Sequence, residues 1–338
     1  MKTISVIIVN LNGGEYLADC LDSLSAQTFR DFEVIVVDNG STDGSPERVR
    51  KDYPATKVVT LGENTGFAKG NNIGFRGSSS PFVATLNNDT LVDPEWLQAL
   101  YGAAQEDRTI GMVASKIFLG REGNELDSAG MLLYPDGMTR QRGRGVRDDG
   151  QFDAPGEVLF PSACAALYRR EMLEETGFFD EDFFSYCEDA DLGLRGRLAG
   201  WKAVLAPRAV VRHLYSQTGG SYSAFKAYHV ERNRLWVLVK DLPPSYILSF
   251  PFSTLWRYGV QLYGLLSGRG SVARFAEGNS AFQMMSVVVR AYLSALASLP
   301  GTLKKRRDIW RKRRLPVADY RSLLRSHRIT ATELMLKD

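Results

Sequence analysis

The residues best able to do chemistry stand at the ends of apolar runs. Residues 81–86 (PFVATL) stop abruptly at Asn87, Asn88 and Asp89, three small polar side chains of which one is a carboxylate. In open α/β sheets ligands bind outside the carboxyl ends of strands. A carboxylate there can reach a hard cation, and Mg²⁺ favours one or two carboxylates together with phosphate oxygens. The same residues would also make an ordinary turn and cap the helix expected at 94–104. Asp38 and Asn39 end a second run (32–37), and Asn10 and Asn12 end a third (4–9). Asp38 can accept a hydrogen bond from a nucleobase imide, whereas residues 41–45 serve equally well as turn and cap. The second chemical stretch is GFFDEDFFSYCEDADL, residues 177–192. It places Glu188, Asp189 and Asp191 at a helix N-terminus, where the dipole favours negative charge. Capping explains those carboxylates but not the aromatic wall of Phe183, Phe184 and Tyr186. A carboxylate partly buried among aromatics has a raised pKa and suits a general base. His213 follows a short apolar segment, as Asp89 does, so it can reach the same cation or serve as a structural histidine.

These residues need elements to carry them. The short β-branched runs at 4–9, 32–37, 57–60 and 81–86 fit strands buried on both faces. Helical spacing lies between them at 16–24 and 45–52. Strands alternating with helices predict an α/β fold with a parallel sheet, so Asn10/Asn12, Asp38/Asn39 and Asn87/Asp89 would converge on one cleft. Residues 64–75, rich in Gly and Asn, contain no phosphate-binding signature. Their glycines permit close approach of the backbone to a ligand, or simply a tight helix start. Residues 120–156 turn polar and carry Arg140, Arg142, Arg144 and Arg147 among glycines, which reads as a long surface loop, mobile when empty. Those arginines could meet a diphosphate or be a solvated charge run. A helix is expected at 170–176, short strands at 204–205 and 209–211, and a helix at 223–239 bearing Tyr228, Arg232 and Asn233.

The 338 residues are 44% apolar, enough for a sizeable core, and the net charge of +3 gives no reason to expect nucleic acid as a partner. Cys20, Cys164 and Cys187 have no metal spacing and cannot all pair, which points to a reducing compartment. The N-terminal apolar run is too short for a signal peptide, so a cytoplasmic protein is expected. Residues 246–266 and 284–299 are mostly apolar but interrupted by Pro251, Arg257 and Arg290, and read as packed or amphipathic helices rather than spans. Residues 304–314, KKRRDIWRKRR, carry eight basic residues against one acidic. Basic residues beside Trp310 suit an anionic membrane surface, or an exposed solvated helix.

The segments ISVIIVNLN, VVDNGSTD, NTGFAKGNN, LNNDT, GFFDEDFFSYCEDADLGLR, VRHLYSQTGG and YHVERN occur in this order. Together they resemble the inverting GT-A glycosyltransferases of family 2, and most nearly their rhamnosyltransferase-like bacterial members. The resemblance runs from about residue 4 to 233. It implies a GT-A catalytic region at 1–240, Rossmann-like with a mostly parallel sheet and helices on both faces, and a helical C-terminal region at 241–338 with a membrane-associating basic segment. It implies a nucleotide-sugar donor, dTDP-rhamnose first and a UDP-hexose or UDP-galactofuranose otherwise, and Mg²⁺ or Mn²⁺ as cofactor. The acceptor would be a lipid-linked glycan, which places the protein peripherally on the inner face of the cell membrane. Asp89 would ligate the metal with His213. Asn87 stands where the family's metal motif has its first Asp, so it would face ribose or diphosphate. Asn10, Asn12, Asp38, Asn39, Gly66, Asn72 and Asn88 would line the nucleotide-sugar pocket, and Arg232 would touch diphosphate. Asp189 of the Glu188-Asp189 pair would be the base, with Asp191 as second choice. A catalytically silent sugar-nucleotide or membrane-binding protein is the competing class, supported only by Asn87.

Overall fold

A computed structural model describes residues 1–214, 223–270 and 280–337. Residues 215–220, the end of the VRHLYSQTGG segment, lie outside the described residues. The strands β1 (Ile4–Asn10), β2 (Phe32–Asp38), β3 (Lys57–Thr60) and β4 (Phe82–Leu86) are parallel neighbours, joined by α1 (Gly14–Ser25), α2 (Ser45–Asp52) and α3 (Gly66–Arg76). After β5 (Thr90–Val92), α4 (Trp96–Gln105) and β6 (Ile110–Leu119), small strands β7 (Leu126–Ser128), β8 (Met131–Leu133), β9 (Thr139–Gln141) and β10 (Gly156–Glu157) precede β11 (Ala165–Arg169). Then come α5 (Arg170–Thr176), α6 (Glu188–Leu198), β12 (Lys202–His213) and α7 (Ala224–Asp241). The sheet order is β10-β12-β6-β11-β4-β1-β2-β3. All of these strands run the same way except β11 and β10, so the sheet is mixed but mostly parallel. The antiparallel β11 was not foreseen as the partner that joins β4 to β6.

β1 shows why the pattern reads as it does. Val6 and Ile8 pack with Leu17 and Leu21 of α1 and with Leu97 of α4, while Ile7 points to the other face, with Ala68 of α3 and Leu192 of α6. A strand covered on both faces needs an unbroken apolar run. The glycines of α3 serve packing: a Cβ at Gly74 would come within 2.5 Å of the Ile7 side chain. The short strands expected near 204 and 210 are one strand, β12, whose register against β6 breaks between Ala206 and Val210, around Pro207.

Residues 120–156 are not a bare loop. They contribute β7 to the sheet and form the β8–β9 ribbon. Their arginines are engaged with protein. Arg140 donates to the carbonyls of Leu334 and Lys337, Arg142 to that of Ala129, and Arg144 pairs with Asp127.

The C-terminal helices are α8 (Pro244–Ser267), α9 (Ala281–Ala297), α10 (Leu299–Arg311), α11 (Val317–Ser326) and α12 (Ala331–Leu336). Ala295, Tyr320 and Leu324 join the same buried cluster as the sheet. On α8, Arg257 is fully buried and donates from Nε to Asp136 (2.6 Å) and from Nη1 to Glu231 (3.0 Å). Arg234 joins the same carboxylates. The basic run is partly internal as well. Arg306 donates to the Val239 and Leu242 carbonyls at the end of α7 (2.6 and 2.9 Å), and Trp310 to that of Lys240 (2.9 Å). Lys305 pairs with Asp180 and Asp182, and Arg314 with Glu175. Lys304, Arg307 and Arg311 face solvent. Among the described residues no single helix is long and apolar enough to cross a membrane.

Candidate active site

The carboxyl ends of β1, β2 and β4 lie side by side, with Asn10 in register with Asp38. Asn10 is fully buried, and its amide donates to Ser45 (2.9 Å), Ser41 (3.1 Å) and Asp38 (3.3 Å). Its oxygen accepts from Asn88 at 2.9 Å, tying β4's end to β1's. Asn39 fixes the start of α3 through Thr65, whose backbone N–H it accepts at 2.9 Å. The exposed Asn12 accepts from the Thr42 amide at 2.8 Å and braces the two loops. Asn87 is half-buried at the lip of this cleft. Asn72 is held elsewhere: its amide clamps the backbone of Phe179 through both its oxygen and its nitrogen. Gly66 (φ +86°) does permit a close approach, but to protein, since a Cβ there would lie 2.4 Å from the Phe184 carbonyl oxygen.

Asp89 and His213 are brought together by the antiparallel pairing of β12 with β5. Asp89 Oδ1 is buried, and its one close polar neighbour is His213 Nε2 at 3.3 Å. The imidazole's other nitrogen meets Asp127 Oδ2 at 2.7 Å, and this buried carboxylate sets the ring's orientation. Burial opposes charge on His213, but the Cys164 thiol and the Asp127 and Asp89 carboxylates outweigh it and hold its pKa well above the usual range. Asp89 Oδ1 and, once the ring has given up its proton, His213 Nε2 fit a divalent cation that takes its remaining ligands from a diphosphate. Among the described residues no cluster of three or more His, Cys, Asp or Glu side chains encloses a cation on its own. Asp127 escaped the sequence reading because it sits in the polar stretch taken for a loop.

Asp189 remains partly accessible at the start of α6, while Glu188 beside it is buried. Asp189 accepts from the backbone N–H groups of Ala163 (3.3 Å) and Ala190 (2.8 Å). Ala163 precedes Cys164, whose carbonyl accepts from Asn87 N at 2.8 Å and whose thiol lies against His213. The two halves of the site therefore meet at the start of β11. Burial pushes Asp189 up to about 6 against those amides, and burial with the Asp189 charge pushes Glu188 up to about 8. Burial and mutual repulsion thus disfavour ionising both carboxyls together. Asp191 does not join them. It is fully buried, bonded to Arg195 Nε at 2.8 Å and paired with Lys240, which corrects its placement as an alternative base.

The loop ahead of Glu188 is strained. Phe184, Tyr186 and Cys187 all have left-handed φ values (+63°, +70° and +65°). Asn233, fully buried on α7, holds it: its Nδ2 lies 3.0, 2.9 and 2.7 Å from the carbonyl oxygens of Phe183, Ser185 and Tyr186. Arg232 stacks on Trp236 and donates to the Phe183 carbonyl at 3.1 Å and to Asn233 at 2.8 Å. Its guanidinium is thus turned to this loop. Sequence gave the polar pair on the helix but not the loop it holds.

Residues 5–177 match the family described as glycosyl transferase family 2. An N-acetylglucosaminyl-diphospho-decaprenol L-rhamnosyltransferase of Mycobacterium tuberculosis is 30% identical over 247 residues, covering 66% of this chain and 80% of that protein. Among solved structures, GalNAc-T7 with UDP, GalNAc and Mn²⁺ superposes with a TM-score of 0.61 at 19% identity, over 87% of this chain and 58% of that one. The mannosyltransferase PcManGT from Pyrobaculum calidifontis, in complex with GDP-Man and Mn²⁺, gives 0.52 at 18% identity over 87% of both chains. At these identities the solved structures speak to fold alone.

Proposed function

This chain belongs to glycosyltransferase family 2 and has its GT-A fold, and from that premise we propose that it moves L-rhamnose from dTDP-L-rhamnose onto a hydroxyl of a lipid-linked glycan, inverting the anomeric centre. The observation that carries the chemistry is Asp189. It is accessible, held by two backbone amides, and raised by burial to about 6, close to the working range of a general base. The donor and the lipid-linked acceptor are supported by the mycobacterial relative's name.

In this reading residues 1–240 hold the donor. Asp38 accepts from the base, and the ends of β1 and β4 line the sugar diphosphate. Asp89 and His213 would hold Mg²⁺ or Mn²⁺, which when bound neutralises charge on the departing nucleoside diphosphate. Asp127 keeps the imidazole turned to Asp89. As the acceptor hydroxyl attacks the anomeric carbon, Asp189 takes its proton and the bond to the diphosphate oxygen breaks. Glu188 stays protonated beside it and leaves Asp189 the ionised member of the pair. Residues 241–338 would meet the cytoplasmic membrane face that carries the acceptor.

Replacing Asp189 with Asn removes the base while keeping its bulk. Turnover falls by about 10²–10⁴-fold, with donor affinity measured by calorimetry unchanged. In the wild type, kcat rises with pH through about 6, because the base works ionised. Near-normal transfer by Asp189→Asn rejects the assignment.

A further inference from the structure

We propose that the protein is seated on an anionic lipid bilayer by two apolar stripes, one on α8 and one on α9, with the outward cations of α10 beside them. The inference rests on the lipid-linked acceptor of the proposed function for its purpose, but not for its evidence. It moves the membrane contact from the basic run to a surface that the charge pattern did not mark.

On α8 the outward residues Leu248, Phe252, Leu255 and Leu262 follow one helix face, with Gly259 between the last two, and are 78%, 77%, 73% and 56% exposed, with Trp256 at 67% alongside. On α9, Phe282, Met285, Val289, Leu293 and Leu296 repeat the pattern, with Phe282 84% exposed. The hydroxyls of Tyr258 and Tyr292 lie 3.4 Å apart, so the two helices are neighbours. Apolar surface of this extent, exposed along each of two neighbouring helices, marks an interaction site.

Charge selects the occupant. Residues 244–267 and 281–297 contain no Asp or Glu; their only ionisable cations are Arg257, buried in the ion network, and Arg290. Lys304, Arg307 and Arg311 continue outward on α10, which leaves α9 at a bend of 61°. A helix pairing with a second copy would ordinarily flank its apolar seam with charges of both signs. Two apolar stripes free of carboxylates, with Lys304 and Arg307 following on α10 and its single acidic residue Asp308 beside Arg311, complement an anionic headgroup layer. Neither helix is long and apolar enough to cross, and the inner face of α8, with Thr254, Arg257, Val260 and Gly264, is held against the protein. In this proposal α8 lies in the interface, held there by its inner face; α9 and α10 have the joint length and composition of a bent span, and the proposal lays them on the surface as well.

The test is co-sedimentation of the full chain with vesicles of 30% phosphatidylglycerol in phosphatidylcholine, without donor or acceptor. Binding is expected to persist in 0.5 M salt (about three times physiological ionic strength, where surface electrostatics are largely screened). The triple variant Phe252→Ser, Leu255→Ser, Trp256→Ser should lose at least about tenfold in partitioning, with its melting temperature unchanged because these side chains touch little of the fold. Lys304→Gln, Arg307→Gln, Arg311→Gln should weaken binding at low salt only. In the wild type, brominated lipid should quench a fluorescence component that Trp256→Phe removes. Absence of vesicle binding, binding by the serine variant equal to wild type, or a vesicle-independent dimer that the serine variant abolishes would each overturn the proposal. Donor hydrolysis by the same variants is read separately, so failure of the transferase reading would not be mistaken for failure of this one.

Discussion

Asn233→Asp keeps the shape of a buried side chain and exchanges its amide donors for a carboxylate. The Asn233 amide nitrogen lies within 3.0 Å of three carbonyl oxygens, and an Asp there would turn an acceptor toward all three. The Phe183 carbonyl keeps its bond from Arg232, and each of the other two, left without its partner, costs about 1–3 kcal/mol. The loop also carries three non-glycine residues in left-handed conformations, each costing about 1–3 kcal/mol that its surroundings must offset. The clamp and the strain are of similar size, so removing the clamp should release residues 183–187 while the domain, stable by about 5–15 kcal/mol, stays folded. Cys187 is the N-cap of α6, so the released loop changes where Glu188 and Asp189 begin. A displacement of about 1 Å at a reacting group can lower turnover by about 10²-fold. The donor-side contacts of Asn10, Asp38 and Asn88 involve no residue of α7. Initial-rate transfer assays should therefore show kcat down by about two orders of magnitude, with the calorimetric donor Kd within about twofold. Normal kcat in a variant whose melting temperature has dropped would refute the reasoning, because the clamp would then serve stability alone.

Two further outcomes concern the other halves of the site. Asp89→Ala and His213→Ala should each abolish the Mn²⁺ dependence of donor binding in calorimetry; an unchanged metal titration would remove them as ligands. Glu188 is a carboxyl raised on folding from its ordinary 4.5 to about 8 by burial and the Asp189 charge, so the folded state binds the extra proton. Its sign is destabilising with rising pH: the wild-type melting temperature should fall between about pH 5 and 8, and Glu188→Gln should flatten that fall. A variant with the same pH slope as wild type would place the titration elsewhere.

The parts of the fold that were legible are those where one residue type has one physical reason. Parallel strands covered on both faces require runs such as residues 4–9, and their polar ends follow because the chain leaves the core there. Arg170–Thr176 and Ser45–Asp52 lie where spacing put them. What could not be read depends on partners distant in sequence. Asp127 gains meaning only once β7 lies beside β6 and its carboxylate meets His213, 86 positions away. Gly74 lies in a stretch whose glycines read as suiting either a ligand's approach or a tight helix start, because its real neighbour, Ile7, sits on another strand. Lys305 and Arg306 looked like solvent cations because the carboxylates and helix-end carbonyls that receive them belong to residues 180–182 and 239–242. A charge run records sign, not which of its members has a partner.

The same logic bears on why α8 is held by a buried arginine. Its outward face is apolar, so an apolar inward face would leave the helix alike all round, with nothing to fix its rotation. Arg257, bonded to Asp136 and Glu231, is satisfied in one orientation only; turned outward it would leave two buried carboxylates to share Arg234 alone. Buried ion pairs add little net stability over apolar packing, but they discriminate strongly against misplacement. We read this network as the element that specifies which stripe of α8 faces out. Glu231 is also the residue before Arg232 and Asn233, and Arg234 follows them on the same turn. The contacts that orient α8 and the contacts that clamp the loop ahead of Asp189 therefore share four consecutive residues of α7. A surface able to meet lipid and a base able to meet an acceptor hydroxyl are fixed from the two sides of one helix.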